Sequence, residues 1–221
     1  MRGGAGKCRT ERKEGSVKLY WSRMSPFVRK VMIVAHETGL ADALELEETM
    51  VAMSAANPAL MAHNPLGQIP LLLLDNGDAL HDSRVICEYL DSLHDGIRLF
   101  PTGGTMRWSA LQRQALGDGM LDVLVVWRQE QLKPGERRTP EWLETFAIKI
   151  TATLDRLETR AEAFSALPFD IGHAAIGCAL GYIDFRFPHL GWRETRPALA
   201  CWQASFERRP SAVATPIGEP A

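Results

Sequence analysis

Apolar and polar positions alternate along Val17-Lys18-Leu19-Tyr20-Trp21, which predicts a β-strand. Behind it the period changes. Phe27, Val31, Val34 and Ala35 recur at helical spacing after Ser25-Pro26, an N-cap residue followed by proline at the first helical position, and the pattern stops at Gly39. Residues 44–51, with Leu44, Leu46 and Val51 among acidic residues, predict a second strand, parallel to the first after a helical crossover. Leu71–Leu74 and Ala79–His81 flank Asp75-Asn76-Gly77-Asp78, and Asn-Gly between apolar runs predicts an antiparallel hairpin. From Ser83 onward, Val85, Ile86, Tyr89, Leu90 and Leu93 share one face of a helix that ends near His94-Asp95-Gly96.

This order, β-α-β and then β-β-α, predicts a mixed four-stranded sheet with helices packed on it, an α/β domain over residues 17–97. Leu99-Phe100-Pro101-Thr102-Gly103-Gly104 reads as a linker, residues 98–104. Strand signals vanish beyond it. Helices are predicted over 105–132, 140–165, 171–186 and 196–208, so residues 105–221 form an all-α domain. Residues 1–16, MRGGAGKCRTERKEGS, are basic and Gly-rich without the apolar stretch of a secretory signal, and are expected to be a disordered leader.

Composition narrows the partners. With 46% hydrophobic and 24% charged residues the chain has ordinary globular make-up. A net charge of −2 provides no broad basic field, so neither nucleic acid nor an anionic membrane surface is expected as a partner. No apolar run approaches the roughly 20 residues of a bilayer span. Cys8, Cys87, Cys178 and Cys201 lie far apart with no CxxC, which argues against structural zinc and a secreted disulfide framework and favours a reducing cytoplasm. No metal is expected.

Ser25, Ile69-Pro70 and Asp82-Ser83 fall where strand ends and helix N-termini converge on one side of such a sheet, the side on which open α/β layers bind ligands. Each also has an ordinary structural use, since Ser-Pro and Asp-Ser cap helices and proline is tolerated at the first position of a strand. Asp170 and His173 read as the cap of the 171–186 helix. Cys87 and Cys178 sit on apolar helical faces and read as core. His36 and His189 have no ligand partners at metal spacing.

On "KLYWSRMSPFVRKVMIVAHETGL", "NPLGQIPLLLLDNGDALHDSRVICEYLD" and "FDIGHAAIGCALGYIDFRF" the chain resembles the soluble glutathione S-transferases, over about residues 17–210. The resemblance, to bacterial-like members of serine type, implies a thioredoxin-like domain that binds glutathione. A C-terminal helical-bundle domain would supply much of the pocket for a second, apolar substrate. It also implies a cytoplasmic, homodimeric detoxification enzyme that conjugates glutathione to small electrophiles. By the same resemblance Pro70 is cis, and Ile69 exchanges main-chain hydrogen bonds with the cysteinyl unit of glutathione. Asp82 and Ser83 hold its γ-glutamyl end. Gln68 stands where many relatives carry lysine, so it meets the glycyl carboxylate without a charge and weaker binding is expected. Ser25 meets the glutathione sulfur, with Ser22 the second candidate. Serine rather than cysteine there leaves no protein sulfur for a mixed disulfide, so glutaredoxin-like turnover is not expected. The second-substrate pocket is expected to be lined by Trp21, Arg23, Met24, Met120 and Trp127. Two alternatives stay open: a non-catalytic binding or interaction module, and a glutathione-dependent isomerase or dehalogenase.

Overall fold

A computed structural model describes residues 17–219; the expected leader, residues 1–16, lies outside the described residues. Four strands, β1 (Val17–Trp21), β2 (Leu44–Glu48), β3 (Leu71–Leu73) and β4 (Ala79–Leu80), form one sheet in the order β2-β1-β3-β4. Helix α1 (Pro26–Glu37) is the crossover that lets β2 run parallel to β1, with Val17 opposite Leu44 and Trp21 opposite Glu48. β3 is antiparallel to both neighbours. It is central and covered on both faces, which is why three consecutive leucines, Leu71 to Leu73, are all buried there. The β3–β4 turn depends on Gly77 at φ 92, and Asn76 Oδ1 accepts from the Asp78 N–H at 2.9 Å.

Beyond a short α2 (Pro58–Met61) and α3 (Ser83–Ser92), the described chain is helical: α4 (Gly104–Leu132), α5 (Pro140–Glu158), α6 (Ala161–Ser165), α7 (Ile171–Arg186), α8 (Trp192–Thr195), α9 (Pro197–Glu207) and α10 (Pro210–Ala214). One hydrophobic core runs through both halves, because α1 packs on α3 and on α7. The stretch expected as a linker is pinned: Asp91 accepts from the Leu99 N–H at 2.7 Å and from the Phe100 N–H at 3.1 Å, and both apolar side chains are buried.

Several expected boundaries move. β2 stops at Glu48 rather than at residue 51, because β1 ends at Trp21; its carbonyl accepts from the Thr49 N–H at 2.7 Å, and no partner backbone follows. The helix expected over 140–165 is two, bent at Arg160, and the bend brings the buried Phe164 against Trp202 of α9 at 6.4 Å between ring centroids. α2 carried no predicted helix; Asn57 caps it by accepting from the Leu60 N–H at 3.1 Å.

α7 is buried from Ile171 to Ile183, as expected of a helix apolar on every face. Asp170 caps it, accepting from the Gly172 N–H at 2.9 Å and the His173 N–H at 3.2 Å, and pairs with Arg113. Burial alone would raise the Asp170 carboxyl's pKa. The His173 hydrogen bond and the nearby His173 and Arg113 charges together outweigh it and hold the group below its usual value.

α4 and α7 approach closely at Gly117, where a Cβ would lie 2.6 Å from the Ala175 carbonyl carbon and 2.7 Å from the Ile176 nitrogen. Backbone cannot step aside as a side-chain end can. Gly117→Ala is therefore expected to destabilise by about 1–3 kcal/mol despite alanine's better helix propensity. At Gly119 nothing lies within 4 Å of the added carbon, so Gly119→Ala should stabilise by up to ~1 kcal/mol. Thermal unfolding of the two variants should shift in opposite directions.

Candidate functional site

A cleft of about 830 Å³ opens between the sheet's rim and the helices. The sheet side brings together Ser22, Met24, Ser25, Gln68, Ile69, Pro70, Asp82 and Ser83, residues from three separate segments of the sequence. Local chemistry explains the placement of each.

Ser25 is the N-cap of α1, in extended backbone, and its Oγ accepts from the Val28 N–H at 3.3 Å. That bond occupies a lone pair and leaves the hydroxyl hydrogen free to donate, at the helix end where an anion is favoured. Ser22 Oγ accepts from the Met24 N–H at 3.4 Å, and its residue is only 9% exposed. The Ile69–Pro70 peptide is cis, and His81–Asp82 is a second, non-proline cis bond. Among the described residues no hydrogen bond uses the Ile69 N–H or carbonyl, so this backbone presents a strand-like edge. The Gln68 carbonyl is held by Asn64 Nδ2 at 3.0 Å. Asp82 caps α3 through the Arg84 N–H at 2.9 Å, and Ser83 behind it is 2% exposed.

Beneath this rim lies a buried ion pair. Lys30 Nζ of α1 donates to Asp118 Oδ1 of α4 at 2.5 Å, with the two side chains 0% and 1% exposed. Arg84 Nε donates to Asp118 Oδ2 at 3.0 Å. One carboxylate thus ties α1, α3 and α4 together, reaching α3 at Arg84, the residue after Ser83. Nothing in the sequence marked this pair, because its members are 88 positions apart.

The helical wall corrects two expectations. Met120 and Trp127 are 3% and 5% exposed and belong to the core; the Trp127 ring packs on Phe187 at 4.9 Å. The residues of α4 that reach the cleft are Asp122, Val125, Arg128, Gln129 and Leu132, and α7 adds Tyr182 and Arg186. The expected register was rotated, since a helix turns about 100° per residue and Trp127 points away from the face that Arg128 and Gln129 share. Their three- and four-residue spacing was the readable signal. Trp21 and Arg23 are also displaced: with Arg29, Met32 and Thr215 they line a smaller hollow of about 190 Å³, which shares Ser22 with the cleft.

Burial pushes the Cys87 and Cys178 thiols up to about 12, so neither offers a thiolate at neutral pH. Among the described residues no group of three His, Cys, Asp or Glu is placed to hold a metal ion, and no helix is long and apolar enough to cross a membrane.

Residues 24–93 match the glutathione S-transferase N-terminal domain family, and residues 140–202 the glutathione S-transferase C-terminal domain family. An uncharacterized GST-like protein of Escherichia coli, YibF, is 30% identical over 185 residues, 83% of this chain and 90% of that protein. A glutathione transferase family member of Pseudomonas fluorescens Pf-5, solved with bound glutathione, is 43% identical with a TM-score of 0.89, covering 93% of this chain and 100% of the other. A second structure from that source, holding S-(propanoic acid)-glutathione, matches at 42% identity and a TM-score of 0.84, over 91% and 99% of the two chains.

Proposed function

The chain belongs to the glutathione S-transferase family, and on that premise we propose that it is a glutathione transferase that activates the thiol of glutathione for conjugation to small electrophiles. Residues 17–97 hold the tripeptide and residues 105–221 supply most of the acceptor wall. The observation that carries this reading is the convergence, in one cleft, of the Ser25 hydroxyl, the unbonded Ile69 edge and the Asp82-Ser83 helix entrance. The solved Pseudomonas relatives hold glutathione and an S-substituted glutathione, which supports a tripeptide in the cleft here.

In this arrangement Ile69 pairs with the cysteinyl unit through its main chain, and cis Pro70 keeps that edge turned to the cleft. Asp82 meets the ammonium of the γ-glutamyl end, and the Ser83 hydroxyl with the α3 N-terminus meets its carboxylate. Gln68 offers the glycyl carboxylate a neutral donor. The thiol proton leaves to solvent and Ser25 donates its hydroxyl hydrogen to the resulting thiolate, which then attacks the acceptor. No protein sulfur takes part. Cytoplasmic location and a homodimeric state go with the reading.

Titration calorimetry with glutathione tests it. The wild-type protein is expected to bind at micromolar to millimolar ligand, and Asp82→Asn, which keeps a capping oxygen but loses the charge, to bind about tenfold or more weakly. Absence of binding by the wild-type protein at millimolar glutathione would instead identify an interaction module.

A further inference from the structure

The helical wall carries a positive charge that the tripeptide site does not use. Asp122, Val125, Arg128, Gln129 and Leu132 put one face of α4 on the cleft, and Tyr182 and Arg186, one turn apart, put α7 beside it. Tyr182 is 6% exposed; burial pushes its phenol's pKa up, while Arg186 and Arg128 pull it back, so both guanidinium groups act on the same ring. The other cations of the cleft are matched: Arg84 by Asp118 at 3.0 Å and by Asp122 at 3.8 Å, and Arg186 by Glu219. Arg128 is half-buried and has no carboxylate or hydrogen-bond partner among the described residues. Val125 and Leu132, one turn to either side, line the same wall with apolar side chains.

Resting on the glutathione reading above, we infer that the acceptor is a small electrophile bearing a carboxylate, which Arg128 receives with its planar fork while Tyr182 lies alongside. For an activated alkene the chemistry balances without an oxidant or leaving group. The glutathione thiolate forms a sulfur–carbon bond at the alkene carbon remote from the activating carbonyl. The π pair moves to the adjacent carbon, which takes a proton from water in place of the one the thiol released.

Monomethyl fumarate, which carries one carboxylate, and dimethyl fumarate, which carries none, make a probe pair. Each kcat/KM is divided by the uncatalysed rate of glutathione addition to the same acceptor. The acid-to-diester ratio is expected to fall about tenfold in Arg128→Gln and to recover partly in Arg128→Lys, while the KM for glutathione stays within about twofold. An unchanged ratio overturns the inference. So does a raised KM for glutathione at constant ratio, which would assign Arg128 to the tripeptide's own carboxylate. If neither fumarate is turned over, calorimetry with the two preformed glutathione adducts decides. Tighter binding of the acid adduct, lost about tenfold in Arg128→Gln, supports the inference; equal binding overturns it and leaves the glutathione reading standing. Failure of glutathione and both adducts to bind ends both.

Discussion

Ser25→Ala is expected to cut conjugation on the order of 10- to 100-fold near pH 7, with the loss shrinking above about pH 9. A free thiol with a pKa of about 8.5 is only about 3% ionised at pH 7. A drop of about two units, which makes most of the bound thiol a thiolate, corresponds to roughly 2.7 kcal/mol. One hydrogen bond to a charged sulfur and the N-terminus of α1 together lie in that range. The Ser25 hydroxyl can supply the bond because it accepts from the Val28 N–H at 3.3 Å and its own hydrogen is left to donate. The sign follows from what the hydroxyl stabilises: it favours the charged form, so its removal raises the pKa of bound glutathione towards the free value. The deficit is largest at low pH and fades where the thiol ionises unaided.

Thiolate absorbance of the complex as a function of pH reads this directly. Ser25→Ala also loses a helix cap, about 1 kcal/mol of stability, whereas Ser25→Thr keeps both cap and hydroxyl and should retain most activity. Ser22→Ala is expected to cost less than about threefold, since the α1 N-terminus and the Ser25 hydroxyl would remain in place. Undiminished conjugation by Ser25→Ala between about pH 6 and 8 would remove Ser25 from the mechanism.

Asp118→Ala is expected to lower the unfolding free energy by about 3–5 kcal/mol, because it strands the Lys30 ammonium in the core with no partner. For a chain of this size that is a fall in Tm of about 6–20 °C. Arg84, whose side chain is 50% exposed, contributes much less, and Arg84→Ala should cost under about 1 kcal/mol. The double replacement Lys30→Met with Asp118→Leu removes both charges and should recover most of the loss, since apolar residues of similar volume often match a buried ion pair. Denaturant unfolding of Lys30→Met, Asp118→Leu and the double variant closes the cycle. If Asp118→Ala unfolds like the wild-type protein, the pair does not hold α1, α3 and α4 together.

The elements that sequence reading placed well are those set by local chemistry. Ser25-Pro26 and Asp82-Ser83 begin α1 and α3 because a side-chain oxygen satisfies a free N–H within two or three residues. Asn76-Gly77 turns the hairpin because Gly77 adopts a positive φ. The bend at Arg160 escaped because no glycine or proline marks it; the packing of Phe164 on Trp202 accompanies it. The cleft wall of α4 escaped for a related reason. This helix packs on both α5 and α7 while a third face meets the cleft, so apolar residues recur on several faces and no single stripe declares its direction.

By itself, then, the amino-acid sequence determined the order of the four strands and the longer helices, the caps of α1, α3 and α7, and the hairpin, because these depend on groups a few residues apart. It also supplied the hydroxyl, amide and carboxyl groups that now line the sheet's rim. Tertiary structure alone decided that Lys30 and Asp118 would meet in the core, that Met120 and Trp127 would turn inward, and that Arg128 would face the cleft. Each of these depends on how whole helices are rotated and seated against one another, and such contacts join residues far apart in the chain.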